Sequence, residues 1–291
     1  MQLPGLTIGL QGIDDACRQE LLTRLGSYAG AAGPETLRAA DLVFTVATAD
    51  RDYFIEPPGP GMVEYNPLFI ELDAPDAALA HANVRACTYS LAASFSTAGG
   101  TGRAFFANGE FEPRQRAVEN ILRVATAWLA ASRGGALMHS ASIVKEGRAY
   151  LFFGQSGAGK STISALSRRG EVVSDDLTLI LPDAHGHPEV VGAPFRGTYA
   201  GGLPVHGRFP VAAAFRLRKA AASEAPAVLP LALPLAMAGA IANLPFVCDQ
   251  LHAVPELFTS IEGLFGAFPI RVLRFTDRDD SFWEAIEAAG L

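Results

Sequence analysis

The feature that most restricts this chain is the loop Gly154-Gln155-Ser156-Gly157-Ala158-Gly159-Lys160-Ser161, which follows directly on the apolar run Ala149 to Phe153 (AYLFF). It satisfies the pattern G-x-x-x-x-G-K-[ST] in the required context. A short buried strand precedes it, and a helix is expected over Thr162 to Arg169, with apolar Ile163 and Leu166 and no breaker until Gly170. Strand, loop and helix in this order commit this part of the chain to an α/β unit. Each residue type has a chemical reason. Glycines accept positive φ and let successive backbone N–H groups turn inward on an anion. Lys160 supplies a point charge for the outer phosphates, and the Ser161 hydroxyl suits Mg²⁺. The loop therefore reads as an ATP and Mg²⁺ site built from Gly154, Ser156, Gly157, Ala158, Gly159, Lys160, Ser161 and Thr162.

Two neighbouring segments bring further chemistry. Glu171 to Ile180 (EVVSDDLTLI) reads as one strand with Asp175 and Asp176 at its middle. Successive strand side chains point to opposite faces, so only one of the pair can aim at a given point unless the strand ends or bulges there. Mg²⁺ and an incoming hydroxyl both call for a carboxylate beside the outermost phosphate. Upstream, Leu137 to Val144 (LMHSASIV) is another strand candidate. It carries His139 and is joined through Lys145-Glu146-Gly147-Arg148, as a hairpin turn, to the strand ahead of the loop.

The rest of the chain sets limits. At 291 residues two domains are expected. An apolar fraction of 49% supports a sizeable core, and a net charge of −7 supplies no basic field for nucleic acid. Cys17, Cys87 and Cys248 form no CxxC pair, which fits a reducing, cytoplasmic setting. Met1 to Gly12 lacks the basic start and apolar run of a signal peptide. No charge occurs between Glu224 and Asp249, but prolines interrupt that stretch too often for a membrane span. Burial of 225–248 against the nucleotide domain or a subunit neighbour is expected instead.

In the first third, strands are expected at Leu6 to Leu10, Asp41 to Thr48, Phe69 to Leu72, Val84 to Phe95 and Arg103 to Ala107. Asp14 to Gly26 reads as a helix, Pro57 to Gly61 as a loop and Gly99 to Gly102 (GGTG) as a turn. From Arg114 to Ser132, apolar residues recur at helical spacing on one face, closed by Gly134 and Gly135, and the domain boundary is placed at the start of this helix. This gives 1–114 as a smaller, strand-rich α/β domain for partner recognition and 115–291 as the domain with the chemistry. His185 and His187 read as a surface hairpin loop, and Arg196, in a Pro-Phe-Arg-Gly turn, is a candidate phosphate contact.

The histidine strand, hairpin, lysine-bearing loop and Asp-Asp strand, carried by Gly135 to Ile180, together resemble the HPr kinase/phosphorylase family. The chain looks closer still to the HPr kinase-related proteins found beside peptide-modification genes. Weaker marks of the same relatives are Gly192 to Gly197, the Ala213-Phe215-Leu217 strand and Ser281 to Glu284. The resemblance covers most of 115–291. It implies a phosphoenolpyruvate carboxykinase-like P-loop fold and an ATP-dependent serine kinase, often homo-oligomeric. Asp175 would then be the base for the incoming hydroxyl, Ser161 a Mg²⁺ contact, Asp176 a metal or phosphate contact, and His139 a neighbour that tunes Asp175 and the γ-phosphate. Gln155 and Thr162 depart from the family's usual GDSGIGKSE loop. The acceptor stays open among a protein, a peptide and a small molecule. The alternative is a non-catalytic ATP-binding module that docks a partner. An ABC-type ATPase is disfavoured, because neither LSGGQ nor a later apolar strand ending in Asp-Glu follows Ile180.

Overall fold

The computed structural model describes residues 1–31, 33–50, 54–55, 68–73, 79–109, 111–195, 197, 199, 201, 205–221, 223–251 and 254–291. The expected loop at Pro57 to Gly61 lies outside them. The chain divides into two compact units. Unit 1 is Met1–Ser132 with His252–Glu256, and unit 2 is Arg133–Leu251 with Leu257–Leu291.

Unit 1 contains β1 (Gln2–Leu3), β2 (Leu6–Gln11), α1 (Asp15–Leu25), α2 (Pro34–Arg38), β3 (Leu42–Ala49), β4 (Phe69–Asp73), β5 (Asn83–Cys87), β6 (Leu91–Ser96), β7 (Gly100–Ala107) and α3 (Arg114–Ala131). Its seven strands form one sheet in the order β1-β2-β3-β7-β6-β5-β4, with β2, β3 and β7 mutually parallel and the other pairs antiparallel. Helix α1 begins as its sequence predicts, the Asp14 carboxylate accepting from the Cys17 N–H at 2.8 Å.

Three expectations for this unit change. The run Val84 to Phe95 is two antiparallel strands, because the Thr88 hydroxyl accepts from the N–H groups of Ser90 and Leu91 and closes a turn there. The GGTG segment is largely strand: Gly100 and Gly102 pair with Leu42 and Phe44, and a Cβ on Gly102 would stand 2.7 Å from the Phe44 ring, so this glycine serves close strand packing. Helix α3 belongs to unit 1, which moves the boundary from 114/115 to 132/133. Val118, Ile121, Leu122, Ala125, Trp128 and Leu129 are all buried, and α3 packs on α1, β5 and β6. The apolar face that marked it as a helix closes the core of the first unit.

Unit 2 contains β8 (Ala136–Lys145), β9 (Arg148–Phe153), α4 (Lys160–Leu166), β10 (Glu171–Ser174), β11 (Leu177–Pro182), β12 (Pro188–Val191), β13 (Arg208–Lys219), β14 (Ala227–Leu229), α5 (Leu233–Ile241), α6 (Pro255–Gly266, its first two residues in unit 1), β15 (Ile270–Phe275) and α7 (Phe282–Ala288). Five strands close on themselves, β8-β11-β12-β13-β9 and back to β8. β10 adds to β8, and β15 and β14 extend from β13.

The β8–β9 hairpin turns through two residues with positive φ, Glu146 at 53° and Gly147 at 76°, the type I′ geometry that matches strand twist. β9 is buried on both faces, which explains its unbroken apolar run. On one face Phe152 meets Phe215, Phe282 and Trp283, and Ile163 of α4 joins the same cluster. On the other, Gly239 of α5 lies against Phe153, where a Cβ would stand 3.4 Å from the ring.

Strands β9, β13 and β15 run parallel, so their C-terminal ends lie together, the edge where parallel α/β sheets hold ligands. The expected burial of 225–248 holds only in part. Ala236, Ala240, Leu244 and Val247 are buried, whereas Leu233 and Leu235 at the start of α5 are 66% and 56% exposed. Among the described residues, no helix is long and apolar enough to cross a membrane.

Candidate active site

The loop after Phe153 folds as its glycines allow. Gly154, Gly157 and Gly159 all have positive φ, and Gly159, at 107°, leads directly into α4. A side chain is excluded at Gly159 on two counts, its φ and its neighbours, since a Cβ would meet Phe275 Cζ at 2.5 Å. The helix is shorter than expected and ends at Leu166, where Ser167 turns to an extended ψ of 105° and its hydroxyl accepts from the Trp283 indole N–H at 3.1 Å.

Lys160 is only 8% exposed and bends back across the loop, donating from Nζ to the Gly154 carbonyl at 2.9 Å. Burial pulls its pKa down, and the nearby Asp176 charge opposes that shift. Ala158 differs from the other cradle candidates, because its N–H is spent within the loop on the Gln155 carbonyl at 3.0 Å.

The Asp-Asp segment resolves the problem that alternation posed. The expected single strand stops at Ser174 and restarts at Leu177, so Asp175 and Asp176 occupy the break, and both line the cleft with Lys160. Their surroundings differ. Asp175 is 4% exposed, and its two oxygens accept backbone N–H groups from Gly197 and Tyr199, each at 2.8 Å. Asp176 is 26% exposed in its side chain, and its Oδ1 lies 3.1 Å from Nδ1 of His139, which is 40% exposed. The histidine thus meets Asp176, not the Asp175 that the family resemblance implied. Main-chain bonds fix the pair: the His139 N–H donates to the Asn243 carbonyl at 2.7 Å, and the Ser140 N–H to the Asp176 carbonyl at 3.0 Å.

One cleft of about 350 Å³ is lined by His139, Ser156, Gly157, Gly159, Lys160, Ser161, Thr162, Asp175, Asp176, Gly197 and Lys219. Local motifs thus come together from β8, the loop and the β10–β11 break. Lys219 has no motif around it. The only trace in the sequence is its place at the end of an apolar run that turns basic, Phe215-Arg216-Leu217-Arg218-Lys219. Arg196 lies outside the described residues. His187 pairs with Asp183 in an exposed turn, and no cluster of three or more metal-ligating side chains occurs among the described residues.

A larger concavity of about 660 Å³ lies along the unit 1 sheet, lined by residues that include Thr45, Ser94, Arg103 and Phe105. It holds one cation and no carboxylate, histidine or cysteine, so the reactive groups are concentrated in the smaller cleft. No protein-family model matches the chain, and no curated protein is found to be similar to it.

Proposed function

We propose that the chain is an ATP-dependent kinase, with a phosphoenolpyruvate carboxykinase-like P-loop domain, that transfers the terminal phosphoryl group to a hydroxyl of a protein, peptide or small molecule. The observation that carries this is the convergence of a lysine-bearing glycine loop and a histidine–carboxylate pair on one cleft. A loop that only holds nucleotide needs no such pair. A phosphoryl transferase uses one, because the acceptor proton must leave as the new bond forms.

The residues fit the substrate and ion in kind. Lys160, already charge-bearing and turned into the loop, would exchange the Gly154 carbonyl for phosphate oxygens. Ser161 and Asp176 supply the hard oxygen donors that Mg²⁺ takes, with phosphates and water completing its shell. When bound, the ion supplies charge neutralisation on the outer phosphates. With its Nδ1 turned to Asp176, His139 offers Nε2 to the acceptor hydroxyl. The proton goes to Nε2, the acceptor oxygen bonds to the γ-phosphorus, and the old bridging P–O bond breaks with its electron pair on the departing ADP. Asp175 has both its oxygens engaged by N–H donors, and it anchors the backbone of Gly197 and Tyr199 at the cleft wall. Unit 1 is proposed to recognise the acceptor or its carrier.

The test is incubation with γ-labelled ATP, Mg²⁺ and hydroxyl acceptors that include serine and threonine peptides. Label on a hydroxyl, lost in H139A and K160M, is expected. ATP binding without turnover or transfer to any acceptor would overturn the kinase reading and leave a nucleotide-dependent docking module.

A further inference from the structure

Strand β9, which leads into the loop, lies between β8 and β13. The loop therefore has two walls. The β8 wall carries His139 and, through its pairing with β10 and β11, the Asp175–Asp176 break. The β13 wall contributes Lys219, which lines the same cleft as Lys160 and Ser161. Its stem runs along the loop, Cε lying 3.3 Å from where a Cβ on Gly159 would stand, so the bare glycine leaves the groove the lysine occupies. The Lys219 side chain is exposed and makes no hydrogen bond or ion pair among the described residues, whereas Lys160 is buried on the Gly154 carbonyl.

Building on the nucleotide function proposed above, we infer that Lys219 is the cation that holds the non-transferred diphosphate of ATP. The charges of the cleft require a second cation. Two carboxylates, Asp175 and Asp176, line it against Lys160, and Lys219 supplies the matching second ammonium. A metal–nucleotide complex is still anionic, so a cleft without Lys219 would repel it. The topology selects which phosphates it meets. The reacting phosphorus must face His139 on the β8 wall, so the phosphates nearer the opposite wall are those that remain on the nucleoside. An ammonium at the end of a flexible stem suits them as a point charge.

Titration calorimetry of wild-type protein, K219A and K219R with MgATP and with MgADP tests this. The expected result is that K219A binds both nucleotides about tenfold more weakly, the weight of one charge-assisted contact in a solvated cleft, and that K219R largely restores both. Wild-type affinity of K219A for MgADP, or a loss confined to MgATP, would overturn the assignment while leaving the nucleotide site intact. If the wild-type protein binds neither nucleotide, the function proposed above falls and the role of Lys219 with it. Because Lys219 is exposed, K219A is expected to fold, which circular dichroism checks.

Discussion

His139 Nδ1 stands 3.1 Å from Asp176 Oδ1, and the backbone on either side of the contact is fixed, with the Ser140 N–H bound to the Asp176 carbonyl at 3.0 Å. A histidine held this way keeps one nitrogen on its carboxylate and directs the other outward. H139A is expected to lower turnover by about 10²- to 10⁴-fold, the usual weight of a positioned general base, with little change in KM for ATP. Steady-state kinetics with any transferable acceptor reads this. Unchanged turnover would remove His139 from the chemistry.

Asp175 leads to a different expectation. In D175N an amide NH₂ must face the N–H of Gly197 or Tyr199, leaving donor against donor at a site that is 4% exposed. A cost of about 1–3 kcal/mol follows, lowering Tm by several degrees at roughly 2–4 °C per kcal/mol. Thermal unfolding followed by circular dichroism measures it. D176N, at the more exposed partner of His139, is expected to shift Tm much less.

Gly159 should tolerate no side chain. G159A puts a methyl 2.5 Å from Phe275 Cζ on a backbone with φ of 107°. Loss of nucleotide binding and a lower Tm are expected. Adding F275L should recover part of the stability but not the binding, because it relieves the clash and not the backbone strain. Calorimetry on both variants separates the two effects.

The β8–β9 turn offers a stability test away from the chemistry. Glu146 holds a φ of 53° that asparagine adopts more readily. E146N should stabilise by a few tenths of a kcal/mol and G147A destabilise by about 1 kcal/mol, both with unchanged nucleotide affinity. Urea unfolding distinguishes the outcomes.

Local signals carried much of this from sequence. The buried run of β9, the glycine loop, the Glu146-Gly147 hairpin and the face of α3 each arise from residues close together in the chain, and each occurs where its pattern pointed. What failed to show was non-local. At the Asp175 break the non-local part is Gly197 and Tyr199, more than twenty residues on, whose N–H groups bind its carboxylate, while the Ser174 hydroxyl accepts the Asp176 N–H locally. Lys219 is brought to the loop by parallel pairing of β13 with β9, and the five-strand closure depends on that same pairing. Helix α3 was legible as a helix but not as part of unit 1, because an apolar face does not name the surface it covers.

Burial pulls the Lys160 pKa down, the Asp176 charge opposes that shift, and Nζ donates to the Gly154 carbonyl. In the proposed kinase this ammonium is the group that takes the phosphates. The most direct measurement is a structure with Mg²⁺ and a non-hydrolysable ATP analogue. Lys160 Nζ is expected to leave the Gly154 carbonyl for the phosphate oxygens, with the terminal phosphate facing His139 and Asp176. Nucleotide bound elsewhere, or Lys160 still on Gly154 at saturating analogue, would contradict it.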